Sequence, residues 1–324
     1  MIWLYVLAFT AGLVLLDLGA DGFTDRAREL AERAGVSETL AGLLTVGIEW
    51  EELVVVLVAA LSGQPAVAVG DVIGSCIANL GGSLGVGLLA RPVAVGRDDR
   101  RIGWVVLGVT VLVAAGAWLG RGTISRPAGV LLVTLFVAYL AALAWLFRRG
   151  LMQTLLARKD QDDDADASRD TRRGVAKAFI GALGGLVLVV VGAELVVRGA
   201  VGLAHAWGMS EFVVGLTLVA FGTTLPDTVV NVIAARKESG GLVMANAAGS
   251  NICDLLFVLG LAAVASPMTL DRATLTFDLP FLIALTLLVV VMQRGSRLVR
   301  AEGAILLAAY AFYLLYNFTL KGGP

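Results

Sequence analysis

The residues with the most chemistry to offer stand where a membrane tolerates them least. In "GIEWEEL" (Gly47–Leu53), Glu49, Glu51 and Glu52 fall within four residues, inside an otherwise apolar stretch. A carboxylate at bilayer depth costs about 2.5–3.5 kcal/mol even on lenient insertion scales, so such a cluster needs a reason. A second polar set lies in "GLTLVAFGTTLPDTVVNVIAARKESGGLVMANAAGSNICDLLFVLG" (Gly215–Gly260). There Gly222 and Pro226 interrupt an apolar run. A proline removes one backbone hydrogen bond and crowds the preceding turn, which predicts free carbonyls around Ala220–Thr223. Thr223 and Thr224 add hydroxyls, and Asp227 adds a carboxylate one turn later. Ser250 and Asp254 are four apart and share one face of the next helix. An all-oxygen set of this kind suits hard cations such as Na⁺ and Ca²⁺. It holds no cysteine ligand, and His205, the only histidine, lies outside it, which disfavours zinc and copper.

The elements that must carry these residues are membrane spans. The chain has 324 residues, is 58% hydrophobic and has a mean hydropathy of +0.86. Its apolar residues fall into ten runs, at about 2–20, 39–61, 66–90, 103–120, 127–147, 175–203, 210–235, 241–266, 276–293 and 301–318, each near the length that crosses a bilayer as a helix. The sequence therefore predicts an all-α polytopic membrane protein. The first run lacks a basic leader and a small-residue cleavage site, and so reads as a span. With the first loop placed inside, the inner loops hold 20 of the 25 Lys and Arg, which puts both termini outside the cell membrane. Cys76 and Cys253 lie in apolar segments with no disulfide or metal spacing and read as small buried residues. No phosphate-binding glycine loop is present, which disfavours ATP-driven transport.

One stretch, Arg148 to Arg173, is strongly polar, and "DQDDDADASRD" within it has no apolar periodicity. It divides the chain into residues 1–147, a charged cytoplasmic linker over 148–174, and residues 175–324. The two halves resemble each other. "GLVLLDLGAD" (Gly12–Asp21) lies over "GLVLVVVGAE" (Gly185–Glu194) at an offset of 173 residues. "VVVLVAA" (Val54–Ala60) covers "VVNVIAA" (Val229–Ala235), and "GSCIANL" (Gly74–Leu80) covers "GSNICDL" (Gly249–Leu255), both at an offset of 175. Each half contains five spans. A repeat with an odd number of spans must sit in opposite orientations, so the expected plan is two inverted five-helix repeats with a binding site at the midplane.

"GTTLPD" followed by "GSNICD" resembles the repeat signature of the cation/calcium exchanger superfamily, which includes the sodium/calcium exchangers. The lead-in "GAELVVRGAVGLAHAWGMSEFVVGLTLVAFGTT" is also similar, and the resemblance covers nearly the whole chain. It implies ten spans in two inverted halves, alternating access, and Ca²⁺ exchanged against Na⁺ or H⁺. It makes Asp227 the central carboxylate of the second half, with Thr223, Thr224, Ser250 and Asp254 as further ion ligands. In the first half "GDVIGSCIANL" (Gly70–Leu80) fits, with Ser75 and Asn79 in the places of Ser250 and Asp254.

The other motif of the first half departs from the pattern. Where the family has Gly-Thr-Ser-x-Pro-Glu, this chain has Gly47-Ile48-Glu49-Trp50-Glu51-Glu52. Counting fixes Glu52 as the central carboxylate, because it lies 18 residues before Gly70 and Asp227 lies 18 before Ala245. Ile48 replaces a hydroxyl, Glu49 another, and Glu51 the proline. The helix break should then be weaker, with Gly47 supplying its flexibility. Glu49 and Glu52 share a face, whereas Glu51 points about 200° away from Glu49. Four carboxylates around one site exceed the charge of one Ca²⁺, so Glu49 or Glu52 is expected to carry a proton in some states. Asp71 reads as a helix cap, and Asp21, Glu194 and Asp278 as interfacial acids.

The leading expectation is a secondary Ca²⁺/Na⁺ antiporter with metal ligands Glu52, Asp227, Glu49, Ser75, Asn79, Thr223, Thr224, Ser250 and Asp254. It is no enzyme and takes no cofactor; its partners are the lipid bilayer and inorganic cations, not nucleic acid. Two other readings stay open: a proton-coupled divalent-cation exchanger, suggested by the altered first motif, and a non-transporting cation-binding membrane protein.

Overall fold

A computed structural model describes residues 2–33, 49–157, 171–237 and 240–321. The described chain is almost wholly helical: α1 (Ile2–Arg33), α2 (Trp50–Leu61), α3 (Pro65–Ala90), α4 (Arg97–Leu119), α5 (Arg126–Ala157), α6 (Thr171–Trp207), α7 (Glu211–Thr223), α8 (Leu225–Arg236), α9 (Gly240–Ala265), α10 (Thr274–Met292) and α11 (Arg300–Tyr316). Helices suit a chain of this hydropathy because lipid offers no partner to a free backbone group. Among the described residues eight helices are long and apolar enough to span a bilayer, and α7 with α8 makes a ninth span bent by 44°. The remaining expected span, 39–61, is described only over α2, and Gly47 and Ile48 lie outside the described residues. The protein is a multi-pass membrane protein. Large apolar side chains such as Trp3, Leu4, Trp118, Phe179 and Phe312 face outward, as lipid contact requires.

Two helices run on past the apolar runs that signalled them. α1 continues to Arg33 through "DGFTDRARELAER", and α5 continues to Ala157, so the first ten residues of the expected linker are helical. Neither extension contains a proline, and hydropathy marks where a helix leaves the membrane rather than where it stops. Residues 158–170, with most of the acidic run, lie outside the described residues.

Element boundaries recur along the chain. Shifting α2 (50–61) and α3 (65–90) by 175 gives the bounds of α8 (225–236) and α9 (240–265). Both α3 and α9 loosen into a π-helical turn at the same relative place, Ala78–Ser83 and Cys253–Val258. Four two-residue strands follow the same relation to within one residue: β1 (Val93–Ala94) to β3 (Met268–Thr269) at 175, and β2 (Thr123–Ile124) to β4 (Arg297–Leu298) at 174. β1 pairs with β4, and β2 pairs with β3, so each half lends one strand to each antiparallel pair.

The centre of the molecule is α3 and α9, with 83% and 78% of their apolar windows buried against 17–44% for the other long helices. α1 and α6 pack antiparallel at the side. Gly12 meets the backbone of Gly192 and Val196, and Gly19 meets that of Gly185 and Val189. A Cβ at Gly192 would lie 2.7 Å from the Leu16 nitrogen, so only glycine lets these backbones come so close.

Candidate cation site

The site forms where the starts of α2 and α8 meet the π-helical turns of α3 and α9. α8 begins as expected from Pro226. The chain leaves α7 at Thr224, and the proline, with no N–H to lose, sits in the first turn of the new helix. α2 begins without a proline. Glu49 is its N-cap residue with φ −79° and ψ 86°, outside the helical region. Glu49 and Thr224 are 175 apart, so α2 and α8 start at equivalent places in the two halves. Phe23 of α1 packs edge-on against Trp50 at 4.9 Å beside this start.

Glu52 lies one turn into α2 and is 2% exposed. Its Oε1 accepts from Thr223 Oγ1 at 3.4 Å, and its buried Oε2 has no partner. Asp254, in the π-helical turn of α9, is fully buried; its Oδ2 accepts from Cys76 Sγ at 3.8 Å, and its Oδ1 has no partner. Glu49, half-buried, keeps Oε1 buried and unpartnered. These three side chains each bring one carboxylate oxygen to within 4.8 Å of the other two. No ion pair among the described residues neutralises them.

Of the remaining expected ligands, Thr223 and Ser75 connect to Glu52, and Ser250 and Asp227 to Glu49. Ser75 Oγ lies 3.5 Å from Thr223 Oγ1, which also bonds back to the Val219 and Ala220 carbonyls at 3.2 Å. Thr224 Oγ1 and both side-chain polar atoms of Asn79 are buried without partners. Asp227 adjoins the triad at Glu49: its Oδ2 accepts from Ser250 Oγ at 3.1 Å, and Glu49 and Asn246 border it. Buried polar groups without a protein partner are rare in native proteins, and each calls for a reason, a functional role or a bound water or ion among them. Such groups occur here on Glu49, Glu52, Asn79, Thr224 and Asp254.

Several expectations change. The Ala220 carbonyl is not free, because it accepts from Thr224 N at 3.0 Å as well as from Thr223 Oγ1. The Gly222 carbonyl, four residues behind the proline, also faces the Thr224 N–H. Asp71 is no helix cap: it lies inside α3, whose N-cap is Gln64, and is fully buried. Asp278, expected near a span end, is not exposed there. It is fully buried in the π-helical turn that opens α10 and accepts from Tyr313 OH at 3.0 Å. Glu51 does point away from the triad, into a small cavity shared with Asp17, Gly222 and Pro226. The sequence reading passed over Asn246 and the Cys76 thiol. Asn246 was within reach of it, since it stands four residues before Ser250 as Asp71 stands before Ser75.

A bundle of apolar helices around a buried cluster of carboxylates, hydroxyls and amides that no basic side chain among the described residues pairs defines a membrane protein that handles hard cations. The model of the sodium/calcium exchanger protein family matches residues 4–145 and 177–319, and the chain belongs to that family. Its relatives include the sodium/calcium exchanger MaX1 of Methanosarcina acetivorans, 30% identical over 98% of this chain and 99% of that protein. Another is a putative antiporter, CaxA, of Alkalimonas amylolytica, 31% identical over 93% of this chain and 95% of that protein. Among solved structures, the sodium-calcium exchanger NCX_Mj soaked with Na⁺ and Sr²⁺ superposes with a TM-score of 0.62 at 30% identity, covering 97% of this chain and 99% of that one.

Proposed function

We propose that the protein is a secondary antiporter that moves Ca²⁺ against Na⁺ by alternating access. The observation that carries this reading is the triad of Glu49, Glu52 and Asp254: three carboxylate oxygens within 4.8 Å, buried, with no protein cation beside them. A point equidistant from three corners 4.8 Å apart lies 4.8/√3, about 2.8 Å, from each. A contraction of a few tenths of an ångström brings the oxygens to the roughly 2.3–2.6 Å of Ca²⁺ coordination. Thr223, Thr224, Ser75, Asn79 and Ser250 complete the oxygen shell, and Asp227 holds a second position through Ser250. Overlapping ligand sets mean that the site holds Ca²⁺ or Na⁺ but not both, which is the requirement for exchange. No cofactor and no enzymatic step enter this reading.

The architecture proposed with it is ten spans in two inverted halves, residues 1–147 and 175–324, joined by a cytoplasmic linker over 148–174, with both termini outside. The recurrence of element bounds at an offset of 175 supports it. So does the α1–α6 contact: Gly12 and Gly185 are equivalent in the repeat, as are Gly19 and Gly192, and the pairs in contact, Gly12 with Gly192 and Gly19 with Gly185, exchange when the halves exchange. A twofold that exchanges two antiparallel helices turns one half upside down relative to the other. α1 and α6, which carry none of the ligands, are free to move against the ligand-bearing helices.

The test is ⁴⁵Ca²⁺ uptake driven by a Na⁺ gradient in proteoliposomes, with Glu52→Gln and Asp227→Asn. Both substitutions should abolish uptake, and uptake indifferent to both refutes the site. A proton-coupled exchange is the second reading, favoured by Glu49, which places a carboxylate where the second half has Thr224. It requires that a pH gradient alone, without Na⁺, drive the same uptake.

A further inference from the structure

Of the five basic residues outside the inner loops, three, Arg121, Arg126 and Arg272, gather at one corner around the β2–β3 pair. Basic residues are disfavoured on that face, the outer one in the proposed orientation, so the gathering calls for a local reason. Arg121 is also the one non-glycine among the described residues with a positive φ, at 53°, and it stands between Gly120 and Gly122. A Cβ is penalised in that left-handed region, where glycine would sit freely, so the turn keeps an arginine against its backbone preference. Arg121 and Arg272 are both exposed and form no ion pair among the described residues. The acid beside them, Asp271, is engaged as a cap, with Oδ1 accepting from Thr274 N at 2.6 Å. Next to this corner, Val111, Ala115, Trp118, Leu275, Pro280 and Ile283 line an apolar groove of about 240 Å³ between α4 and α10. The Trp118 indole N–H donates to Leu275 O at 3.2 Å and ties the two helices at the end of the groove near the strands. Gly122, beside Arg121, abuts Leu275, whose Cδ1 lies 3.3 Å from where a Cβ would stand. Arg272 precedes Leu275 by one helical turn, so both arginines stand at the mouth of the groove. From Trp118 to Val111 the groove follows α4 for seven residues, about 10 Å into the membrane.

We propose that this corner binds one anionic phospholipid, with an acyl chain in the α4–α10 groove and the phosphate held by Arg121 and Arg272. Guanidinium groups meet phosphate oxygens through paired, charge-assisted hydrogen bonds. The groove and the arginines stand in the order of a lipid's tail and head. A free anion would answer the arginines without the groove, and an uncharged lipid the groove without the arginines. None of the proposed cation ligands lines this groove, so the lipid site takes from the exchanger reading only the orientation of the bundle.

The experiment is native mass spectrometry of the full-length protein released from detergent, counting phosphatidylglycerol and phosphatidylcholine of equal chain length bound per chain. Three forms are compared: wild type, the double variant Arg121→Gly, Arg272→Gln, and Ala115→Trp. Glycine at 121 relieves the left-handed backbone, so the double variant should fold as well as wild type. Ala115 is exposed, so an indole there fills the groove without entering the core. Wild type should hold one more phosphatidylglycerol per chain than the double variant, with phosphatidylcholine equal in the two. Ala115→Trp should lose that same phosphatidylglycerol. The arginines of the inner face are intact in all three forms, so lipid held there does not change the comparison. Equal phosphatidylglycerol counts in wild type and the double variant overturn the proposal. So does retention of the extra lipid in Ala115→Trp, or its displacement by inorganic phosphate alone, either of which would make the arginines a site for a free anion. A wild-type mass of two chains that Ala115→Trp reduces to one would assign the groove to a second copy and also overturn it. ⁴⁵Ca²⁺ binding by the same samples should match in all three forms; its absence from wild type would sink the exchanger reading and leave the lipid count standing.

Discussion

Replacing Glu49 by threonine, the residue at the equivalent place in the second half, separates the two transported ions by charge alone. An ion centred in the triad lies about 2.8 Å from each oxygen, and the oxygens lie up to 4.8 Å from one another. At an effective dielectric of about 20, the Glu49 carboxylate attracts a divalent ion by about 12 kcal/mol and a monovalent ion by about 6. On the same scale its repulsion from each of Glu52 and Asp254 is about 3.5 kcal/mol, or about 7 for the two. Relative to a neutral group at the same place, Glu49 therefore favours bound Ca²⁺ by about 5 kcal/mol and is within about 1 kcal/mol of indifferent to bound Na⁺.

Measured losses on truncating one member of a buried charged pair run at about 2–5 kcal/mol, so the Coulomb figure sits at the upper end of what is realised. Glu49→Thr should thus weaken Ca²⁺ by roughly 30-fold or more, at about 1.4 kcal/mol per tenfold, and leave Na⁺ within several-fold. The assay is ⁴⁵Ca²⁺ binding to purified protein, with Na⁺ competition read from the same titrations. Equal weakening of both ions would refute the charge argument. Unchanged Ca²⁺ binding would mean that Glu49 lines a watery approach instead of holding the ion.

Glu51→Gln should change Ca²⁺ affinity far less than Glu49→Thr in that titration, because Glu51 faces the cavity with Asp17; the reverse ranking would overturn the assignment of the two side chains. Gly192→Val pushes a side chain into the Leu16 and Gly12 backbones and should cost roughly 1–3 kcal/mol, seen as a lower Tm together with slower exchange. Asp278→Ala removes the acceptor of the buried Tyr313 hydroxyl and should destabilise by about 1.5–3 kcal/mol while Ca²⁺ binding by the folded fraction stays as in wild type.

The spans and the repeat were legible because both leave a linear record: hydropathy marks the helices, and matched strings such as "GSCIANL" and "GSNICDL" mark the halves. Glu52 could be placed by counting alone, and Glu49 and Glu52 by helical periodicity. Asp71 and Asp278 could not. Their sequence neighbours read as span starts, and only the long-range packing of α3 and α10 takes both acids wholly out of solvent. The start of α2 was legible from the repeat: Trp50 opens it with Glu49 as N-cap, at the place where Thr224 caps α8.

The two halves agree in plan and differ in charge along one line. On α3 the sequence of polar residues is Asp71, Ser75, Asn79; on α9 it is Asn246, Ser250, Asp254. Acid and amide have traded places about an invariant serine. If the halves are inverted as proposed, identical halves would make the two access states equal in energy, and any bias between them must come from positions where the halves differ. Asp254 sits in the π-helical turn at the centre with Glu52, whereas Asp71 lies two turns nearer the end of its helix. Exchanging the pair at 71 and 246 moves a charge along the path without altering the triad. The double variant Asp71→Asn, Asn246→Asp should therefore keep Ca²⁺ binding near wild type and shift the Na⁺ dependence of exchange from one membrane face to the other. Oriented proteoliposomes, with Na⁺ varied on each side separately, measure this. A Na⁺ dependence unchanged on both faces would show that the charge difference at 71 and 246 does not set the direction of access.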